Sequence, residues 1–172
     1  MRHTISILVE NEFGVLARVA GLFSGRGFNI ESLSVAETMD PSISRITLVT
    51  RGDDQVLAQV EKQLNKLINV IRVIDFTETA HVERELVLIK VAVDERTRGE
   101  VANVIDIFRG KIIDVSARTY VLEVTGTEDK IEALIALLAP IGILEIVRTG
   151  KVAMFRGPRR LAIDDKSEDD AA

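Results

Sequence analysis

The segment Glu10-Asn11-Glu12-Phe13-Gly14-Val15-Leu16 has the residue types and spacing to hold a small zwitterion. Before it, Ile5, Ile7 and Val9 alternate as in a strand; after it, Val15, Leu16, Val19, Leu22 and Phe23 share one face of a helix. A strand-to-helix junction leaves the N–H groups of the first helical turn unbonded and partly positive. Such groups suit a carboxylate. Gly14 permits close approach to the backbone, where a Cβ would obstruct. Asn11 supplies both a donor and an acceptor, the mixed capacity an amino-acid ligand needs. Taken alone, Asn11 and Gly14 read more simply as a helix cap and a tight turn. Residues beyond the segment decide between these readings.

Catalytic chemistry finds no comparable constellation. Glu10, Glu12, Glu31 and Glu37 fall at strand ends without His or Lys partners, as solvated carboxylates do. Ser24, Ser32 and Ser34 have no base near them in sequence. Gly21, Gly25 and Gly27 close a helix instead of following a strand, so they make no dinucleotide fingerprint. There is no Cys, and His3 and His81 lack a ligand-spaced acidic cluster. Neither a disulfide framework nor a metal site is expected.

The elements that position these residues occur twice. Strands at 4–9, 29–37, 45–50 and 70–76 alternate with helices whose apolar faces are Val15–Phe23 and Val56, Leu57, Val60, Leu64 and Leu67. Gly25 and Gly27 stop the first helix and Gly52-Asp53-Asp54 starts the second. After a polar break at 77–84 the pattern returns. Strands are expected at 86–93, 111–116 and 119–125, with one or more in 143–155; the helix faces are Val101, Val104, Ile105 and Phe108, then Ile131, Leu134, Ile135 and Leu138. The fold class is therefore α+β, two ferredoxin-like βαββαβ units at 1–77 and 84–156. Each leaves one sheet face and an edge strand wanting a partner, so association is expected.

Five acids and one Lys in residues 164–172 carry most of the net charge of −5, and 157–172 reads as a disordered acidic tail. Arg156, Arg159 and Arg160 read as its solvated beginning. With one Tyr, no Trp and no basic field, neither a nucleic-acid nor a membrane-surface partner is indicated. The longest apolar run, 133–144, is too short to span a bilayer and contains Pro140. The first residues enter a strand pattern with no leader, so a cytoplasmic location is expected.

The run Arg18-Val19-Ala20-Gly21-Leu22-Phe23-Ser24-Gly25-Arg26-Gly27-Phe28-Asn29-Ile30-Glu31-Ser32-Leu33-Ser34-Val35 resembles the ACT domain of the small, regulatory subunit of acetolactate synthase (acetohydroxyacid synthase). Ser44-Arg45-Ile46-Thr47, the stretch 60–67, Ala80-His81-Val82-Glu83-Arg84-Glu85-Leu86 and Phe108-Arg109-Gly110-Lys111-Ile112-Ile113-Asp114-Val115 extend the likeness to about Gly157.

This resemblance implies a non-catalytic subunit that activates a thiamine-diphosphate-dependent catalytic partner and makes it sensitive to valine. Thiamine diphosphate, magnesium and FAD are then expected only in that partner, with no cofactor here. It also implies a homodimer through the ACT domains, with valine, leucine or isoleucine held between copies. Asn11, Gly14, Val15 and Leu16 of one copy would face Asn29 and Ile30 of the other. Main-chain N–H groups near Gly14–Leu16 would take the carboxylate and Asn29 a polar group of the ligand. Val15, Leu16, Ile30 and Val35 would surround its side chain, with Ser34 a minor participant. Phe13 stands where related loops often carry Pro or a small residue, and would either cap the pocket or pack as a staple. The alternative is an ACT-type sensor that regulates a different enzyme.

Overall fold

The structure, a computed structural model, describes residues 2–163. The chain runs β1 (Arg2–Glu10), α1 (Val15–Ser24), β2 (Ile30–Glu37), β3 (Ile43–Arg51), α2 (Asp54–Leu64) and β4 (Val70–Asp75). It continues with β5 (His81–Ala92), α3 (Arg98–Ile107), β6 (Lys111–Val115), β7 (Thr119–Gly126), α4 (Glu128–Leu138), β8 (Ile143–Arg148) and β9 (Val152–Phe155). Two compact units form, one from residues up to Val82 together with those from Lys151, the other from Glu83–Gly150.

In the first unit the antiparallel order β2-β3-β1-β4 leaves β2 and β4 as edges. Alternation puts Ile5, Ile7, Val9, Ile46, Leu48 and Val73 on one face. Against it pack Val15, Val19 and Phe23 of α1 and Leu57, Val60 and Leu64 of α2. Val56, expected on this helix face, has its side chain outside the described residues. A left-handed Gly27 ends α1, with Gly27 N–H donating to Ser24 O and Phe28 N–H to Phe23 O. Gly25, expected to share that task, has an ordinary right-handed φ of −64°. The opposite sheet face is polar at its centre, where Arg45 Nε donates to the buried Ser6 Oγ at 2.8 Å.

In the second unit the order is β6-β7-β5-β8. Val87, Ile89, Val91, Leu122 and Val124 face Val101 and Ile105 of α3 and Ile131, Leu134 and Leu138 of α4. Glu85 is buried, and Arg148 holds it by two bonds, at 3.0 and 2.7 Å. A third bond, at 2.8 Å, runs from Arg148 to Glu132 of α4. The hydrogen bonds to Glu85, more than those to Glu132, push the Arg148 pKa above its ordinary value.

Three boundary expectations are corrected. β5 begins at His81, inside the supposed polar break, and β9 pairs with β5; a hydrogen-bonding partner there overrides the absence of apolar alternation. Residues 151–156, placed by sequence in the second unit, belong to the first. There Arg45 Nη2 donates to Ala153 O at 2.6 Å, and the Phe155 ring meets Phe76 edge-on at 4.9 Å. The beginning of the supposed tail is packed as well. Arg156 Nε donates to His81 O at 3.0 Å, Arg159 lies 4.4 Å over the Phe155 ring, and Leu161 packs against the Phe76–Phe155 cluster. The acidic residues 164–172 lie outside the described residues. Among those described, no helix is long and apolar enough to cross a membrane, and no group of three His, Asp or Glu could hold a metal ion.

Candidate functional site

The loop between β1 and α1 is built as a helix N-terminus without a cap. Gly14 sits at the capping position with φ +81° and ψ −4°, a left-handed conformation that favours glycine, and no side chain bonds the helix start. A Cβ built on Gly14 would meet nothing within 4 Å, so the space beside it is open. The first turn contains no acid. The Val15 N–H reaches Glu12 O only at 3.4 Å. Those of Gly14, Leu16 and Ala17 find no acceptor among the described residues. This supplies the partly positive N–H group set that a carboxylate needs.

Two clamps hold the loop. On one side the Asn11 N–H donates to Ser42 O at 2.7 Å, and its Nδ2 donates to Pro41 O at 2.9 Å and Glu37 Oε1 at 3.1 Å. Both amide hydrogens of Asn11 are thereby committed to the β2–β3 hairpin. Asn11 anchors the loop, and the donor expected for a ligand is already used. On the other side Asn69, from the turn before β4, bonds Glu10, Glu12 and Arg18. Sequence reading missed Asn69 and Arg18. Their bonds span more than fifty residues, and a lone Asn ahead of a strand reads as an ordinary turn residue.

The remaining site residues divide by exposure and by face. Val15 is only 3% exposed and is spent in the core, because it leads the inward stripe of α1. Leu16, its neighbour, is 41% exposed and free to meet a ligand or a partner. Phe13 is fully exposed, and the helix position a staple would need is occupied by the polar Arg18, so the staple role is ruled out. On β2, Val35 pairs with Ile46 and so lies on the helix side, as Leu16 does. Ser34 pairs with Thr47 and points to the opposite face, away from Leu16. Ile30 is half-buried against the core.

Asn29 and Ile30 do not approach the loop within this chain. Ile30 lies beside Thr50 and Thr50 beside His3, whereas the loop follows Glu10, seven positions along β1. At about 3.4 Å per residue the halves of the site are roughly 24 Å apart. The Asn29 carbonyl accepts a bond from Thr50 Oγ1 at 2.8 Å, and its exposed side chain has no partner among the described residues. Beside it Glu31 binds Arg2 at 2.8 Å and also Arg51. The Asn29 end of β2 thus carries two cations on one acid, while the loop end carries Glu10, Glu12 and Glu37 against the single cation Arg18.

The first unit is thus a ferredoxin-like sheet with an open β2 edge and an uncapped, glycine-started helix beside a polar clamp, the kind of unit that serves as a small-ligand sensor, and a second unit of the same strand order follows it. Residues 5–72 match the AHAS small subunit-like ACT domain, and residues 84–157 match the family described as small subunit of acetolactate synthase. The chain is 56% identical over 160 residues to a probable acetolactate synthase small subunit of Archaeoglobus fulgidus, covering 93% of this chain and 100% of that one. It is 48% identical over 160 residues to the isozyme 3 small subunit of Escherichia coli, covering 92% and 98%. The crystal structure of the Thermotoga maritima acetolactate synthase small subunit superposes with a TM-score of 0.83 at 45% identity, covering 91% and 98%. The chain belongs to the acetolactate synthase small-subunit family.

Proposed function

We propose that this chain is a non-catalytic regulatory subunit, located in the cytoplasm. It activates the thiamine-diphosphate-dependent catalytic subunit of acetolactate synthase and confers feedback inhibition by valine in branched-chain amino-acid synthesis. Thiamine diphosphate, magnesium and FAD belong to the catalytic partner. The effector lies between two ACT domains of a homodimer. One observation carries this reading: the two halves of the site lie at opposite ends of an open edge strand. Antiparallel pairing of β2 with its copy would bring Asn29 of one chain to the Asn11–Leu16 loop of the other. The same pairing sets the Arg2–Arg51 end of one copy beside the Glu10, Glu12 and Glu37 end of the other, opposite charges facing. Exposed Leu16, Leu33 and Val35 supply apolar surface beside that edge.

Carboxylate capture by the N–H groups of Gly14, Leu16 and Ala17, an amino or carboxylate bond from Asn29, and a small apolar pocket suit a branched-chain amino acid. Feedback further requires that valine bind one arrangement of the holoenzyme better than another, because equal binding shifts no equilibrium. Calorimetry of the full chain with valine, leucine and isoleucine, paired with activity of the catalytic subunit with and without this chain, tests the reading. Valine binding, together with activation that valine reverses, is the expected result. Absence of binding by all three amino acids at millimolar concentration would overturn the effector assignment.

A further inference from the structure

Asn69 is 8% exposed and uses both polar atoms of its side chain on the β1–α1 segment, at the end of β1, in the loop and in α1. Its Nδ2 donates to Glu10 Oε2 at 2.6 Å and to Glu12 Oε2 at 3.2 Å, while its Oδ1 accepts from Arg18 Nη1. Its main-chain carbonyl accepts the Glu10 N–H at 2.9 Å. One side chain therefore fixes the end of β1, the loop and the first turns of α1. It also turns two carboxylates toward itself.

The direction of those carboxylates matters because of what lies beside them. Glu12 is two residues ahead of Gly14, and the N–H groups of Gly14, Leu16 and Ala17 have no acceptor among the described residues. A carboxylate is favoured at a helix N-terminus, and a Glu this close, if untethered, could swing onto those groups and cap the helix itself. A self-capped helix would exclude an incoming carboxylate by charge and by occupancy.

We infer that Asn69 is the positioning residue of the effector site: it holds Glu10 and Glu12 away from the α1 N-terminus, which keeps the N–H groups open for the effector carboxylate. The inference rests on the amino-acid-sensor reading above and adds the residue that prevents the chain from occupying its own site.

Substitution with rescue tests it on the full chain. Asn69→Ala releases both acids, and valine affinity by calorimetry is expected to fall at least tenfold. Adding Glu10→Gln and Glu12→Gln removes the competing charges and is expected to return affinity to within about threefold of the native chain. Loss of scaffolding alone would not be repaired by deleting further bonding groups, so a triple variant as weak as Asn69→Ala overturns the inference. So does an Asn69→Ala chain that binds as the native one does. Should Asn69→Ala fail to fold, Asn69→Ser, too short to reach either carboxylate, replaces it in the same series.

Amide hydrogen exchange without ligand gives a second readout. Exchange at Gly14, Leu16 and Ala17 is expected to slow several-fold in Asn69→Ala and to recover in the triple variant. Unchanged exchange in Asn69→Ala overturns the positioning role. A native chain that binds none of the three amino acids overturns the sensor reading instead, and the exchange series still decides whether Asn69 restrains the acids.

Discussion

The Asn11 amide donates to the Glu37 carboxylate at 3.1 Å, which fastens the loop before α1 to the end of β2 farthest from Asn29. Neither residue needs to touch the effector for this bond to matter. It sets the loop at a fixed place along the edge strand, so any copy paired antiparallel along that edge meets the loop with its own Asn29 end.

Val35 lies on that edge, 41% exposed and on the helix side of the sheet. Val35→Asp puts a charge where a second β2 would pack. Self-association is expected to weaken at least tenfold by sedimentation equilibrium, with the valine response lost in parallel. A monomeric variant that keeps full valine inhibition would contradict a site shared between copies.

Gly14→Asp combines two effects that separate cleanly. The open space beside Gly14 accepts a side chain, but φ +81° strains any L residue, at a cost of about 1 kcal/mol in denaturant melts. The new carboxylate stands beside the free N–H groups and competes with the ligand. Valine inhibition should therefore be relieved while activation of the catalytic subunit persists. Asn29→Ala should relieve inhibition in the same way from the other half of the site, and without the backbone strain.

In the second unit, Arg148→Met strands Glu85, whose residue is only 5% exposed. An uncompensated buried carboxylate makes this one of the costly substitutions, about 2 kcal/mol or more of stability lost. Glu132→Gln, which removes the outer and more exposed arm of the same network, should cost well under 1 kcal/mol. Urea melts of the two variants measure the contrast.

Glu61 has its pKa raised above its ordinary 4.5, by burial first and by the nearby Asp75 charge second. A folded-state pKa above the unfolded value contributes stability below pH 4.5 that is lost as pH rises through the folded value. Glu61→Gln should therefore raise the melting temperature at pH 7, with the gain vanishing below about pH 4.5. Asp40 and Asp94 run the opposite way. Bonds from Ser42 and from Thr97 lower their pKa values below 3.8, so their contribution is present above that pH and lost as pH falls through the folded values. Thermal melts of native and Glu61→Gln chains across pH 3–7 distinguish the two behaviours.

The amino-acid sequence by itself determined the two βαββαβ units, their helix faces and the strand-to-helix junction around Gly14; that the helix start there is uncapped came from the folded chain. The units, the faces and the junction rest on periodicity or local backbone chemistry, which neighbouring residues specify. The sequence also carried the family, through runs such as 18–35 whose order is read directly. Only the tertiary structure decided which site residues remain available. Val15 went to the core and Ser34 to the far sheet face because helix phase and strand register, not residue type, choose a side. Asn11 turned from ligand donor to loop anchor because its partners, Glu37 and Pro41, arrive from another hairpin. The return of residues 151–161 to the first unit, and the tether from Asn69 to Glu10 and Glu12, are long-range pairings. Such pairings are fixed by where the folded chain brings distant groups together, and no local pattern in a single sequence records them.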